Sequence, residues 1–569
     1  NLNKLLIRIL LHLQVEFSNN KFMIKHKFST LIFISLLALY TGNASAAGKH
    51  NEPCDEISAS SNIAVTQTQY GKVGGYLENN VLTFKGIPYA KAERFMPPTA
   101  PDQWKGIRSS RAYGPTCPQA ERMGWQSDEQ AFAFNWDDGF PGEDCLRVNI
   151  WTQGLKDGKK RPVMVWLHGG GYAAGSGQEL PSYDGAALSR KGDVVVVTLN
   201  HRLNVLGFLD LSAYGGKYAQ SVNVGLLDLV AALRWVNENI ENFGGDPSNV
   251  TIFGQSGGGG KVSTLLATPS AKGLFQKAIV QSGSMQRTME SKYSQRIAAA
   301  TLEELGIKAE EIDKLQTIPY KTLLAAGEKA IANVRKEAEK EGIHSFIFGW
   351  GPTVDGNILP QQPEKQAELS KDIPMMIGTT LHEFCISTYV PELRNATLDQ
   401  AKEMLKAKYG EKTDNYIEIF KKVYPAATPQ DMIDFDVTFR PAAIEQGNWK
   451  AAQHAAPVYM YQFAWESPVM DGILRSTHCM EIAFVFDNIA RCASMTGGGK
   501  DAQALADKMS SAWIQFARTG NPNVEGLPTW EPYTVEKGAT MIFNNQSEIK
   551  YNQDKELMQF ISKFPMRGF

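Results

Sequence analysis

Val250-Thr251-Ile252-Phe253-Gly254-Gln255-Ser256-Gly257-Gly258-Gly259-Gly260-Lys261-Val262-Ser263 is a β-rich apolar run that breaks into glycine around one serine and resumes with a helical pattern. A serine on a sharp turn between a strand and a helix needs small neighbours two residues away on either side. Gly254 and Gly258 fill those places. Four consecutive glycines at a helix start each give up roughly 1 kcal/mol relative to alanine, so they call for a steric or functional reason. Two nucleotide-binding readings fail on spacing. A phosphate-binding P-loop requires glycine five residues before the Gly-Lys pair and serine or threonine after it, and those places hold Gln255 and Val262. A Gly-x-Gly-x-x-Gly fingerprint requires a third glycine where Val262 or Ser263 stands. Ser256 is the candidate nucleophile.

The runs around it set the fold class. Arg147-Val148-Asn149-Ile150-Trp151, Pro162 to Leu167 and Asp193 to Leu199 have buried-strand length with little alternation, which suits a parallel sheet covered on both faces. Leu226, Leu229, Val230, Leu233, Val236 and Ile240 follow a helical period that Gly244-Gly245-Asp246-Pro247 stops. Further strands are predicted at Phe275 to Val280, Pro374 to Ile377 and Val458 to Phe463, and a charged helical insertion at about 291–342. Short runs between Gly71 and Trp104 predict a small N-terminal antiparallel sheet. The expectation is an α/β fold with one large, mostly parallel sheet.

The chain has 569 residues, 43% hydrophobic and 21% charged, with formal net charge −2. This is an ordinary globular composition that implies no nucleic-acid partner. Residues 23–46 read as a secretory signal: Lys25 and Lys27, the apolar run Leu31 to Leu39, and Ala44-Ser45-Ala46 as a cleavage site. The run is too short for a bilayer span of about 20 residues, so no stable membrane anchor is expected. Residues 1–22 read as an upstream non-native stretch, and 47–569 as one exported domain, periplasmic or secreted. Export permits disulfides, and none of the six cysteines forms a Cys-x-x-Cys pair.

His168-Gly169-Gly170-Gly171 follows a strand and offers unpaired backbone N–H groups of the kind that hold a developing oxyanion. A serine nucleophile also needs a base and a carboxylate. In a strand-turn-helix architecture the acid and then the histidine follow the serine, leaving His344, His382, His454 and His478. His478 stands at an element end before the apolar helix start at Met480, whereas His454 reads as a helix-face residue. Glu383 lies just beyond the strand Met375 to Ile377; its competitor Asp355 sits in an Asp-Gly turn.

With these residues assembled, the chain resembles the type B carboxylesterases, the α/β-hydrolase family of cholinesterases, some lipases and bacterial broad-range esterases. The resemblance spans about Val73 to Phe516. It rests on Phe84-Lys85-Gly86-Ile87-Pro88-Tyr89-Ala90, Glu143-Asp144-Cys145-Leu146-Arg147-Val148-Asn149-Ile150, His168 to Gly171, Asn200-His201-Arg202-Leu203, Phe243 to Pro247, the Ser256 stretch, and His478 followed by Glu481-Ile482. It implies a serine esterase that forms an acyl-enzyme on a small-molecule ester with no cofactor or metal. The implied triad is Ser256, Glu383 and His478, with oxyanion donors Gly170, Gly171 and Gly257. It also implies a Cys117–Cys145 disulfide. Cys385 and Cys479, or Cys479 and Cys492, are candidates for a second bridge.

The chain departs from the family pattern at Gln255, where glutamate is usual, at Gly257, where alanine is usual, and at His382-Glu383-Phe384, where Asp-Glu-Gly is usual. Loss of the negative charge beside the serine argues against a choline ester, although Trp136 lies near the family's cation-binding tryptophan. Trp136 and Gln255 are the candidate pocket residues. The alternatives are a lipase, for which Met123, Trp125, Phe132, Phe134 and Trp136 would form an apolar lid where they would otherwise line a gorge wall, and a non-catalytic binding module of the same fold.

Overall fold

The β-branched runs lie side by side at the centre of a twelve-stranded sheet. In chain order its strands are β1 (Ile57–Ser58), β2 (Tyr76–Glu78), β3 (Val81–Pro88), β4 (Arg147–Thr152), β5 (Arg161–Leu167), β6 (Val195–Leu199), β7 (Gly245–Gln255), β8 (Lys277–Gln281), β9 (Met375–Thr380), β10 (Val458–Phe463), β11 (Ala539–Phe543) and β12 (Glu548–Tyr551). The spatial order is β1-β2-β3-β4-β6-β5-β7-β8-β9-β10-β11-β12. The run from β6 to β11 is parallel, and antiparallel strands close both edges. The computed structural model describes residues 56–120, 127–343 and 349–564. The signal at 23–46, Cys54, Met123, Trp125 and His344 lie outside them.

Every residue of β4, β5, β6, β8, β9, β10 and β11 is buried, as a sheet covered on both faces requires. Alternate residues feed two cores. Val163, Val165 and Leu167 of β5 join one with Leu226, Leu229, Leu233 and Val236 of the helix Val224–Asn239. Met164 and Trp166 join the other with Leu505, Met509, Trp513 and Phe516 of the helix Lys500–Thr519.

Two expectations change. Tyr76 to Pro88 belongs to the large sheet: β2 and β3 form a hairpin through Asn79 and Asn80, both at positive φ (49° and 63°), and β3 pairs with β4. A two-residue loop of this hand matches the twist of the strands it joins. The separate small sheet is Val65–Thr68, Gly71–Gly74 and Ile107–Ser109, and it is mixed, its last pairing being parallel. The helical insertion lies between β8 and β9, as Ser291–Glu304, Ala309–Gln316 and Tyr320–Lys340. A two-stranded parallel ladder, Met289–Glu290 with Thr353–Val354, closes its base. Among the described residues no helix is long and apolar enough to cross a membrane.

Register decides where chemistry gathers. Gly254 pairs with Leu167, Gln255 with Gln281, and Gln281 with Gly378. The strand ends before Ser256, His168, Ser282 and Glu383 therefore lie together at the carboxyl edge of the parallel strands, where open α/β sheets place their ligands.

Candidate active site

Ser256 joins β7 to the helix Gly257–Leu265 at φ 58°, ψ −128°, a backbone conformation that L-residues adopt only under constraint. Its N–H donates to Gln281 O (2.9 Å), and its carbonyl accepts from Gly260 N (3.0 Å). The glycines make this turn possible. A Cβ on Gly254 would lie 2.6 Å from Gly258 C and O and from Leu167 O, and one on Gly258 would lie 1.9 Å from Leu167 O. Ser256 and Gly257 are half-buried, so a ligand reaches them, while Gln255 is fully buried.

Gly170 and Gly171 turn away from β5 at φ 82° and 63°. A Cβ on Gly257 would meet Gly171 O at 2.1 Å and Gly171 N and Cα at 2.5 Å. The loop thus lies against the start of the serine helix. Among the described residues, no protein oxygen accepts from the N–H groups of Gly170, Gly171 or Gly257, so these donors stay available beside Ser256.

Glu383 is buried and also at positive φ (56°). Its Oε1 accepts from Ser282 Oγ (2.6 Å) and Thr380 N (2.9 Å), and its Oε2 bonds His478 Nδ1. The backbone ties the same segments together: His478 N donates to Glu383 O (2.9 Å), within a parallel bridge between Glu383 and Thr477. The amide nitrogen of Gln255, the residue before Ser256, lies 3.2 Å from His478 Nδ1 and 3.3 Å from Nε2. Its carbonyl oxygen accepts from Cys479 Sγ (3.0 Å). Gln255 therefore packs on the histidine and does not face solvent. Phe384 is 43% exposed, and its ring centroid is 4.5 Å from that of His478, with Phe439 at 5.0 Å.

The other candidates go elsewhere. Asp355 accepts from Asn357 N (2.9 Å) and Leu359 N (3.0 Å), which makes it a turn residue. His454 is exposed at a helix end. His382 accepts from Ser476 N (3.4 Å) and stands 3.7 Å from Asp431. Trp136 is half-buried, donates from its indole to Asp138 and packs, like Cys479, against one of the two cores.

No disulfide joins the described cysteines in the structure: Cys117, Cys145, Cys385, Cys479 and Cys492 are free thiols. Cys117 and Cys145 are buried hydrogen-bond partners, and that contact, with burial, pushes the Cys145 thiol well up. Cys385 Sγ instead donates to Leu474 O (3.3 Å) and Cys479 Sγ to Gln255, so each has a different partner.

Ser282 escaped the sequence reading. Its one signal was the strand end Gln281-Ser282-Gly283, a third strand followed by a small polar residue and glycine. Glu481 was recognised only as part of a motif. It is buried, accepts from Gln281 Nε2 (3.2 Å), and is raised to about 7 by burial and then by the Glu383 charge.

Comparison with known proteins agrees with this geometry. The model of the carboxylesterase family matches residues 62–561. Para-nitrobenzyl esterase of Bacillus subtilis is 39% identical over 517 residues, covering 89% of this chain and 99% of that protein. Phenmedipham hydrolase of Pseudarthrobacter oxydans is 32% identical, covering 85% and 95%. A solved esterase of Clostridium hathewayi, described as hydrolysing aliphatic aromatic polyesters, superposes with a TM-score of 0.79 at 37% identity, covering 90% of this chain and all of that one. With an α/β-hydrolase sheet, a serine elbow at its carboxyl edge and a family match over most of its length, the chain belongs to the carboxylesterase family and is a carboxylic ester hydrolase of the serine type.

Proposed function

We propose that Ser256, His478 and Glu383 are the catalytic triad of an exported esterase acting on uncharged esters. The carrying observation is the bonded series Ser282–Glu383–His478, which ends at the residue next to Ser256. Glu383 takes the proton on Nδ1 as a hydrogen bond, which leaves the Nε2 lone pair of His478 as the base.

As Ser256 Oγ attacks the ester carbon, its proton passes to Nε2 and the carbonyl π electrons move onto oxygen. Gly170, Gly171 and Gly257 N–H groups hold that oxyanion. Its collapse breaks the bond to the alcohol, which leaves with the proton from Nε2. Water then attacks the acyl-enzyme by the same route and frees the acid and Ser256. Glu383 stays ionised throughout and stabilises the imidazolium.

The wall chemistry supports a neutral, partly aromatic substrate. The position before the serine holds an amide, and Phe384 and Phe439 stand beside the histidine. The Bacillus relative is named a para-nitrobenzyl esterase and the Clostridium one is described as hydrolysing aliphatic aromatic polyesters, which supports the same substrate class.

Residues 23–46 act in this reading as an export signal ahead of one domain, 47–569. In an oxidising compartment the neighbouring Cys117 and Cys145 thiols join, passing two protons and two electrons to the compartment's thiol oxidant, and a mass about 2 Da below that of the same mature chain after reduction tests that. The decisive experiment is a panel of chromogenic esters of rising acyl length with the protein and its Ser256→Ala variant. Loss of about 10⁶ in turnover is expected; equal activity in both removes the nucleophile assignment.

A further inference from the structure

Lys261 is a buried lysine with no part in the reaction described so far. It lies on the helix Gly257–Leu265, four residues after Gly257, so the two share one helix face. That face meets the loop carrying Gly170 and Gly171. Lys261 Nζ donates to the His168 carbonyl (2.8 Å) and lies 3.5 Å from His168 Nδ1. His168 is the last residue before the three glycines, and the backbone beyond it turns at positive φ.

We propose that Lys261 is a positioning residue of the esterase: its ammonium, bonded to the His168 carbonyl, fixes the loop that aims the Gly170 and Gly171 N–H groups. The proposal rests on the reading of those glycines as oxyanion donors. Packing does not require a lysine here, since a methionine fills a similar volume without desolvating a charge. A glycine loop without side chains has few means of holding its own position, and the lysine supplies a charge-assisted bond at its root.

The groups facing Lys261 set when it carries its charge. Glu179, on the stretch after the loop, accepts from Ser176 N (2.6 Å) and Tyr183 Oη (3.2 Å). Its Oε2 and His168 Nδ1 lie on either side of Gly175, where a Cβ would meet them at 3.1 and 2.5 Å. The His201 ring is 5.3 Å from that of His168, and the Tyr172 ring centroid is 5.8 Å from Lys261 Nζ. Burial lowers Lys261 to about 7 against the opposing pull of Glu179 and Cys117, and raises Glu179 to about 8. Burial and the lysine charge push His168 and His201 well below the ordinary range, so both rings stay neutral. The ammonium is therefore present on the acid side of about 7. Above that, an amine remains that donates more weakly.

The test compares the protein with Lys261→Met on a short neutral ester between pH 6 and 8.5. At pH 6 the variant is expected to lose about 10- to 100-fold in kcat, the range of one weakened oxyanion contact, with KM within about threefold. Affinity for a trifluoromethyl ketone should fall by the factor lost in kcat/KM. The ratio of the two kcat values should narrow as pH rises, because the native lysine discharges, and taking a ratio cancels any pH dependence the two proteins share. A kcat within twofold of the native value at pH 6, or a loss that does not change with pH, overturns the proposal. Should Lys261→Met not fold, Lys261→Gln carries the same test: its uncharged amide should lower kcat at pH 6 and the ratio to native should narrow as pH rises, and a native-like kcat at pH 6 overturns the proposal. Native-like Lys261→Met beside inactive Ser256→Ala removes this role alone, whereas active Ser256→Ala removes the site reading beneath it.

Discussion

Gly257 has no Cβ, and the space a Cβ would take is filled by the backbone of Gly171. The sequence shows only a departure from the alanine usual in the family; the contact supplies a steric reason for it. Gly257→Ala should push the Gly170–Gly171 loop off its position and, if that loop supplies the proposed oxyanion donors, lower kcat about 10²-fold with the fold retained, as loss of one donor does elsewhere. Near-native turnover of that variant would show that the loop yields without harm. Ser282 acts from the other side of the site. Removing its hydroxyl in Ser282→Ala leaves Glu383 Oε1 with only the Thr380 N–H. A hydrogen bond to a charged group contributes about 1.5–3 kcal/mol, so kcat should drop roughly 10- to 100-fold while KM holds. An equal fall in kcat and thermal stability would instead mark Ser282 as a packing residue. The placement of Ser256, Glu383 and His478 at strand and element ends is legible because strand ends, glycine punctuation and chain order constrain it. Ser282, Lys261 and Glu179 are not legible in this way, since their meaning lies in partners brought together across more than 80 residues of chain.

At the scale of elements, β4 to β10 are legible because a strand buried on both faces leaves a mainly apolar run with little alternation. The hairpin β2–β3 reads as strands in the sequence but not as part of the large sheet, since alternation reports burial of one face and says nothing of the neighbour. β7 likewise begins at Gly245, not Val250, because Gly245 pairs with Arg161 of β5 across a register shift spanning Asp246 to Asn249, which only pairing reveals. The short helix Met480–Val485 after His478 carries Glu481 in its first turn, and that helix links the site to pH. Burial and Glu383 raise Glu481 from 4.5 to about 7, so between those values the folded state holds a proton that the unfolded chain has released. Its contribution to stability is complete below about 4.5 and is lost as pH rises through about 7. Glu481→Gln should remove that slope: from pH 4.5 to pH 8 the native protein should lose about 3 kcal/mol relative to the variant. Urea midpoints at the two pH values measure it, and parallel curves contradict it.

Across the whole molecule, charge selects substrate more weakly than shape does. The formal net charge is −2 on 569 residues, too little to build a steering field at physiological salt, where the screening length is about 8 Å. At the site itself the residue before Ser256 is an amide, and Glu383 is buried and committed to Ser282 and His478. A cationic ester therefore gains little on approach and little beside the nucleophile, while the exposed Phe384 ring offers a neutral aromatic group a stacking surface. Two linked outcomes are expected. Between 0.02 and 0.5 M salt, kcat/KM for a neutral phenyl ester should change less than about twofold, as for an encounter without charge steering. A choline ester and its uncharged 3,3-dimethylbutyl isostere should differ in the opposite sense to a cholinesterase, the isostere being hydrolysed with the higher kcat/KM. Phe384→Ala should then lower kcat/KM for the aromatic ester about tenfold, near the upper end of one lost aromatic contact, and leave a short aliphatic ester nearly unaffected. A preference for the choline ester, steepening as salt is removed, would place an anionic subsite in this chain and overturn the neutral-substrate reading.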